Sequence, residues 1–261
     1  SLSQLSIPGT HDSGALHEPV PGTAKCQNLT IAGQLDAGVR FLDIRCRHVN
    51  NGFRIHHGAI DQKCGFTEVL DATLAFLAAH PGETVILSVK EEHQPEGNTR
   101  GVESTFDSHV ALQPGKWLLS PSIPRLRDAR GKIVLFRRFS AASLPKGIDA
   151  TRWSNNTSFG IGGQLRIQDR YAVDKPEAKW VAIERTLNDA NEGGPDTLYL
   201  NFASGYVSGW FGLPDIPRVS NHVNPRLSAY FSAHPRGRFG VILMDFADAS
   251  LISRIHGTNA R

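Results

Sequence analysis

The heptapeptide Thr-Val-Ile-Leu-Ser-Val-Lys, residues 84–90, decides the fold because it is a nearly continuous apolar run. Such a run is typical of a parallel strand that is covered on both faces. The segment before it, residues 67–80, is amphipathic at the helical period and ends at Pro81-Gly82. A helical segment at 102–112 and another apolar strand at 132–138 follow. Strands and helices therefore alternate on both sides of the heptapeptide.

The same alternation extends along the whole chain. The predicted strands are 2–7, 39–45, 53–56, 84–90, 132–138, 165–169, 197–202 and 240–245. The predicted helices are 28–37, 67–80, 102–112, 175–191, 224–234 and 250–256. This order favours the α/β class and a single irregular (β/α) barrel of the TIM type, with the active site at the C-terminal ends of the strands. No repeat or long linker divides the chain, so we expect one domain over residues 1–261.

Composition excludes some classes of function. The chain has 261 residues, a mass of 28.5 kDa, a net charge of +3 and a sequence pI of about 8.8. This charge is too small to indicate nucleic-acid binding, although it would not oppose an anionic surface. No apolar run has the length of a membrane-spanning helix. Ser1 at the start of an apolar segment suggests a mature, processed chain.

Polar side chains stand where the predicted strands end, and in a barrel those ends meet at one mouth. These residues are His11, Arg45, His57, Lys90, Arg138, Asp169, Asn201 and Asp245. Two histidines can act as base and acid in one displacement, while an arginine holds an anionic centre between them. The combination suggests phosphoryl transfer to an internal hydroxyl, without a metal. We interpret His17, His48 and His93 as structural histidines.

The chain also carries a series of motifs in a fixed order. They are IPGTHDSG (7–14), GVRFLDIRCR (38–47), HHG (56–58), LSVKEE (87–92), GKIVLFRRF (131–139), IQDRY (167–171), LYLNFASG (198–205) and MDF (244–246). Together they resemble the catalytic X region of the bacterial phosphatidylinositol-specific phospholipases C. The resemblance runs almost from end to end and implies a single catalytic barrel. It also implies cleavage of phosphatidylinositol to diacylglycerol and inositol 1,2-cyclic phosphate.

The resemblance assigns catalytic roles to five residues. His11 would be the general base for the inositol 2-hydroxyl, and His57 would protonate the leaving glycerol oxygen. Asp245 would orient His11, and Asp12 would partner His57, although Asp12 alone could equally cap a turn. Arg45 stands where related calcium-dependent enzymes place an acidic ligand, so it would bind the phosphate oxygens instead. We therefore expect no metal and no cofactor.

The inositol-binding set implied by the resemblance is Lys90, Arg138, Asp169 and Tyr171. Arg137 is an alternative to Arg138, but strand alternation allows only one of them to face the mouth. Lys90 could instead pair with Glu91 or Glu92 as surface charge. These side chains offer hydrogen bonds to several hydroxyls, and Tyr171 adds a flat apolar face.

The loop 204–214 is rich in glycine and contains Trp210 and Phe211. Aromatic residues at the barrel mouth can insert into the headgroup region of a bilayer, so both are predicted membrane-interface residues. The alternative is an apolar plug that packs on the protein. We expect a secreted monomer that contacts membranes or micelles of phosphatidylinositol transiently and does not bind nucleic acid.

The three cysteines cannot all pair internally. We predict a Cys26–Cys64 disulfide with Cys46 buried and free, and the alternative is three reduced thiols. Three other functions compete with the phospholipase hypothesis. They are a ribonuclease-like enzyme, a calcium-dependent phosphoinositide or glycerophosphodiester phosphodiesterase on the same barrel, and a non-catalytic phosphoinositide-binding module.

Overall fold

The computed structural model describes residues 1–260, with the exception of the Trp210 side chain. The strands are β1 (Ser6–Thr10), β2 (Phe41–Val49), β3 (Gly52–His57), β4 (Ile60–Gly65), β5 (Val85–Glu96), β6 (Trp117–Leu118), β7 (Ile133–Arg138), β8 (Ile148–Asp149), β9 (Thr157–Ile161), β10 (Leu165–Asp169), β11 (Leu198–Phe202), β12 (Val207–Ser208), β13 (Pro214–Asp215) and β14 (Gly240–Met244). The α-helices are α1 (Ile31–Ala37), α2 (Phe66–Ala79), α3 (Val102–Leu112), α4 (Leu126–Ala129), α5 (Pro176–Glu192), α6 (Ile216–Ala233) and α7 (Ala249–Gly257). Short 3₁₀ helices cover Leu2–Gln4, Pro114–Lys116 and Trp210–Gly212.

The main sheet is curled and has the strand order β6-β7-β5-β2-β1-β14-β11-β10-β9. Every neighbouring pair from β6 to β11 and on to β10 is parallel, and only β9 joins antiparallel to β10. Strands β3 and β4 extend β2 as antiparallel additions. Within residues 1–260, no ladder joins the β9 edge to the β6 edge. The prediction of an irregular parallel barrel of the TIM type is confirmed.

Strand alternation divides the core into two layers. Phe41, Ile86, Val134 and Val241 belong to the cluster inside the curl, whereas their neighbours along each strand pack outward against the helices. Because the alternation continues to the C-terminal ends of the strands, the residues that follow at even spacing point into the mouth. The sheet itself therefore determines which polar side chains can meet there.

Some predicted element limits were wrong. Residues Leu2–Gln4 are a 3₁₀ helix rather than the beginning of a strand. Helix α6 begins at Ile216, not at 224, because Asp215 caps it and Pro217 lies in its first turn, while Pro225 is tolerated inside it. Strand β4 was not predicted. In the described part of the chain, no helix has both the length and the apolarity needed to cross a membrane.

The predicted Cys26–Cys64 disulfide is also wrong, since all three cysteines are free. Cys26 packs with Ala15 and Ile216 in a small cluster near the mouth. Cys64 packs instead against the large outer core, and its Sγ lies 3.4 Å from the Gly65 carbonyl oxygen. The two thiols thus belong to separate parts of the interior. Cys46 is buried, as predicted.

Candidate active site

A cavity of about 550 Å³ opens at the C-terminal ends of the parallel strands. Its wall contains most of the predicted site residues: His11, Arg45, His57, Lys90, Arg138, Asp169, Tyr171 and Asp245. Asp12 lies behind the wall and is fully buried. Asn201 does not reach the cavity, because its amide donates to the Ile183 carbonyl and accepts from the Gln168 amide in the core. The prediction that Asn201 meets the other strand-end residues at the mouth was therefore wrong.

His11 is held at its ring by Asp245 and at its backbone by Gln27. Its Nδ1 lies 2.8 Å from Oδ1 of Asp245, and the other oxygen of Asp245 accepts from the Gly205 amide at 3.2 Å. The Gln27 side chain donates to the carbonyl oxygens of His11 and Met244, which ties β1 to β14 below the site. A carboxylate can only accept, so Nδ1 carries the proton and Nε2 keeps its lone pair. His11 is therefore arranged as a base.

His57 is oriented by a backbone carbonyl rather than by a carboxylate. Its Nδ1 donates to the carbonyl oxygen of Ala24 at 2.6 Å, and its Nε2 lies 3.9 Å from Oδ2 of Asp12. The rings of His57 and His11 are perpendicular, with their centroids 6.4 Å apart. Burial lowers the pKa of His57, and the hydrogen bond to Ala24 opposes this shift. Asp12 thus approaches His57 without a direct hydrogen bond.

Asp12 is an unusual carboxyl group. It is completely buried, and neither of its oxygens has a hydrogen-bond partner. Burial raises the pKa of Asp12 to about 8, although the charges of Arg45 and His11 act in the opposite direction. Its backbone is left-handed, with a φ of 40°, which is an unfavourable conformation for a residue other than glycine. These features indicate a carboxyl group that is protonated at neutral pH.

Arg45 is anchored from the inside of the barrel. Its Nε donates to Oδ2 of Asp43 at 3.0 Å, and its Nη1 lies 3.4 Å from Glu92. Burial alone would raise the pKa of Asp43, but Arg45 and Arg138 hold it well below the usual range. Asp43 is accordingly an anion whose oxygens are already in use. The nearest carboxylate partner of Arg45 is thus Asp43, and Asp12 is more distant at 3.9 Å.

The far wall of the cavity offers hydrogen-bonding groups for a polyhydroxyl ring. Lys90 Nζ lies 2.5 Å from Glu92, and burial lowers the pKa of Lys90. The Arg138 guanidinium lies over the Trp153 ring, 3.6 Å from its centroid. Trp153 Nε1 in turn donates to Asp169 at 2.9 Å. Arg137 points outward to the carbonyl oxygens of Lys146 and Phe139, as strand alternation requires.

Tyr171 lies at the rim, where its hydroxyl donates to Oδ1 of Asn155 at 2.6 Å. The loop 204–214 continues this rim, since Gly205, Tyr206 and Pro214 also line the cavity. The Phe211 side chain is 97% exposed. The Trp210 side chain lies outside the described residues, so the structure does not test its predicted membrane role.

Two side chains of the cavity wall were left out of the predicted site, and Glu92 appeared only as a possible surface partner of Lys90. Glu92 joins Arg45 and Lys90, and it would have been found had β5 been predicted to continue beyond residue 90, because Lys90 and Glu92 then share a face. Trp153 lies in an irregular segment between β8 and β9, and no periodic signal indicates its position.

A curled parallel sheet that carries two histidines and an ion-paired arginine at its C-terminal mouth is typical of a phosphodiester-cleaving barrel. The family model for "Phosphatidylinositol-specific phospholipase C, X domain" matches residues 2–139. A 1-phosphatidylinositol phosphodiesterase from Staphylococcus aureus is 30% identical over 94% of this chain and 84% of its own length. The chain belongs to the phosphatidylinositol-specific phospholipase C family.

Other relatives and solved structures agree. A 1-phosphatidylinositol phosphodiesterase from Listeria monocytogenes is 28% identical over 99% of this chain and 81% of its own length. A crystal structure of the Staphylococcus aureus phospholipase, with pentafluoro-Phe incorporated, superposes with a TM-score of 0.90 at 28% identity, covering 100% of this chain and 94% of that one. The Listeria monocytogenes structure shares the fold, with a TM-score of 0.81 at 24% identity over 100% of this chain and 94% of that one.

Proposed function

We propose that this protein is a phosphatidylinositol-specific phospholipase C that releases diacylglycerol and forms inositol 1,2-cyclic phosphate. The observation that carries the proposal is the pair of perpendicular imidazoles, 6.4 Å apart between centroids, in a cavity that Arg45 also lines. A base and an acid at this separation can act on opposite sides of one phosphorus atom. Residues 1–261 would form the single catalytic domain.

The chemical step is an internal displacement. Nε2 of His11 removes the proton of the inositol 2-hydroxyl, and that oxygen attacks the phosphorus attached to the neighbouring ring carbon. A five-membered cyclic phosphate forms as the bond from phosphorus to the glycerol oxygen breaks. His57 gives its Nε2 proton to that oxygen, so diacylglycerol leaves as an alcohol. The nucleophile belongs to the substrate, which makes the attack intramolecular and lowers its entropic cost.

Arg45 would stabilise the charge that builds on the non-bridging phosphate oxygens. Asp43 and Glu92 pair with the buried guanidinium, and 12% of the Arg45 side chain is exposed towards the cavity. A guanidinium in this position is fixed before substrate arrives, so little reorganisation is needed during the reaction.

The acid side of the reaction uses Asp12 and His57 together. Burial raises the pKa of Asp12 and lowers that of His57. Asp12 keeps its proton below about pH 8, and this proton would replace the one that His57 Nε2 gives to the leaving oxygen. The imidazolium that forms on the base side is stabilised by the Asp245 carboxylate on His11 Nδ1.

Calcium fits this donor set poorly, which argues against the calcium-dependent alternative. Calcium takes six to eight oxygen ligands. Asp43, the acidic residue nearest Arg45, already accepts from Arg45 and lies 3.4 Å from Arg138. A cation there would have to displace two guanidinium groups from one carboxylate. We infer that Arg45 supplies the charge that calcium would provide.

Inositol hydroxyls would bind to Lys90, Arg138, Asp169 and Glu92, with Tyr171 against the ring. The substrate would be phosphatidylinositol in membranes or micelles, contacted transiently by a secreted, monomeric enzyme. The exposed Phe211 supports such contact. A solved structure of the Staphylococcus aureus phospholipase, determined for the modulation of its membrane binding, superposes on this chain with a TM-score of 0.89. The two are 27% identical, and the match covers 100% of this chain and 94% of that one.

The test is phosphorus NMR of the products formed from phosphatidylinositol vesicles in the presence of EDTA. We expect the cyclic phosphate as the first product. His11→Ala and His57→Ala should each reduce the rate by about 10²–10⁴-fold, which is the usual contribution of a positioned acid or base. His17→Ala is the matched control, because His17 is exposed and only its backbone makes hydrogen bonds that hold it. Full activity of His57→Ala, or loss of turnover in EDTA, would contradict the mechanism.

A further inference from the structure

Cys26 lies close to both the His11–Asp245 pair and the His57–Asp12 pair, and the proposed reaction does not use it. Its Sγ is 3.9 Å from Nδ1 of His57 and 3.7 Å from the Ala24 carbonyl oxygen. Two backbone hydrogen bonds hold Cys26. Its amide donates to the Ala15 carbonyl, and its carbonyl accepts from the Phe246 amide. The thiol is therefore held rigidly next to the acid.

Cys26 belongs to two sets of donor atoms that lie close enough to share one ion. The first set is Asp12, Cys26 and His57, and the second is His11, Cys26 and Asp245; within each, the ligand atoms are within 4.8 Å of one another. In the second set, His11 and Asp245 already bind each other at 2.8 Å. The first set contains a different kind of carboxyl group.

Asp12 distinguishes the first set, because both of its oxygens are buried without a hydrogen-bond partner. A buried carboxyl group in this state lacks the partner that such groups normally have. Thiolate, imidazole and carboxylate are together a donor set that suits Zn²⁺ and its thiophilic relatives. Calcium and magnesium require oxygen ligands and do not match it.

We propose that Asp12, Cys26 and His57 form an inhibitory site for a thiophilic divalent cation such as Zn²⁺ or Cd²⁺. The thiol proton, and that of Asp12 where it is protonated, would pass to solvent, and the thiolate and carboxylate would then neutralise the ion. Bond lengths of about 2.0–2.3 Å to zinc require the three donors to close by roughly 1 Å. Because His57 lines the cavity, the fourth position faces the substrate space.

Arg45 does not occupy Asp12, since its closer partners are two other carboxylates. It lies 3.0 Å from Asp43 and 3.4 Å from Glu92, but 3.9 Å from Asp12. An ion that occupies His57 and Asp12 would remove the proposed acid, so inhibition rests on the proposed function. Binding itself does not rest on it.

Binding is tested first with Co²⁺, whose sulfur-to-cobalt charge-transfer band in the near ultraviolet reports a thiolate ligand. We expect this band in the wild type and in Cys64→Ser, which removes the partly exposed thiol, and its loss in Cys26→Ser. Zn²⁺ should compete the band away. His57→Gln should weaken binding by about tenfold or more, as expected when a ligand is lost. His11→Gln should retain it; the opposite pattern would assign the ion to the second set and overturn the proposal.

Inhibition is tested next on phosphatidylinositol vesicles. Zn²⁺ should inhibit the wild type and Cys64→Ser, and EDTA should restore both, whereas Ca²⁺ and Mg²⁺ should have no effect. Cys26→Ser should keep its basal activity and require at least about tenfold more Zn²⁺ for inhibition. Equal sensitivity of Cys26→Ser, or a wild type without the cobalt band, refutes the site. A wild type that shows the band with Co²⁺ but has no turnover in EDTA without added metal would refute the proposed function instead.

Discussion

The stability of the Asp12→Asn variant relative to the wild type should increase as the pH rises. Asp12 is fully buried, and neither carboxylate oxygen has a hydrogen-bond partner. Asparagine has almost the same shape but cannot ionise, so the variant removes only the cost of a buried charge. The prediction thus isolates the protonation state of one group at the centre of the site.

The magnitude follows from the shift of the pKa of Asp12 from 3.8 to about 8. Because the pKa of Asp12 is higher in the folded protein than in the unfolded chain, the unfolded chain releases a proton that the folded protein keeps. The resulting stabilisation is complete below the unfolded pKa and is lost as the pH rises through the folded one. The loss is about 1.4 kcal/mol per pH unit, or about 4 kcal/mol between pH 5 and pH 8. Asp12→Asn avoids this loss.

The assay is urea unfolding of both proteins at pH 5, 6, 7 and 8, with the free energy of unfolding compared at each pH. The other groups that titrate in this range are common to both proteins, so the difference reports Asp12. Asp43→Asn is the matched control, because the pKa of Asp43 is lowered by Arg45 and Arg138 despite its burial. The contribution of Asp43 is present above its unfolded pKa and is lost only in acid. Its variant should be destabilised by the same amount from pH 5 to pH 8.

A difference between wild type and Asp12→Asn that does not change with pH would refute this reasoning. It would mean that Asp12 is ionised in the folded protein and paired with Arg45 or His57, 3.9 Å from each.

Two further predictions concern the substrate side. Lys179→Met should raise KM several-fold more than it lowers kcat and should cost about 1–3 kcal/mol in urea unfolding. The reason is that Lys179 Nζ donates to Gln168 and to the Arg170 carbonyl, on either side of Asp169. An unchanged KM would contradict this positioning role. Phe211→Ala should weaken sedimentation with phosphatidylinositol vesicles by about tenfold or more, while cleavage of monomeric short-chain phosphatidylinositol stays the same, since Phe211 is 97% exposed. Unchanged sedimentation would exclude Phe211 from the membrane contact.

The parallel strands and their orientation could be predicted from the sequence. The run at 84–90 corresponds to the buried part of β5, and the alternation of Arg137 and Arg138 correctly separated the outward from the inward side chain. Such features depend on the period of two in a strand, which a sequence displays directly. The mouth of the barrel then follows from the direction of the parallel strands.

Features that depend on loops could not be predicted in this way. The path of residues 15–28 brings Cys26 to His57 rather than to Cys64, and no periodic pattern describes that path. The same path supplies the Ala24 carbonyl that orients His57. The prediction that Asn201 faces the mouth was wrong for another reason. Its position at a strand end was right, but the side chain faces α5, where it donates to the Ile183 carbonyl.

The charge state of the site is likewise a property of the assembled structure. Apart from the more distant Asp12, ion pairs connect the cations Arg45, Lys90 and Arg138 with two anions, Asp43 and Glu92. This connected group therefore carries one excess positive charge, which a phosphodiester with its single negative charge would neutralise. If Asp12 were ionised beside Arg45, the excess would vanish and the phosphate would meet no net attraction. The raised pKa of Asp12 and the capacity of Arg45 to bind a phosphate are thus two consequences of one burial.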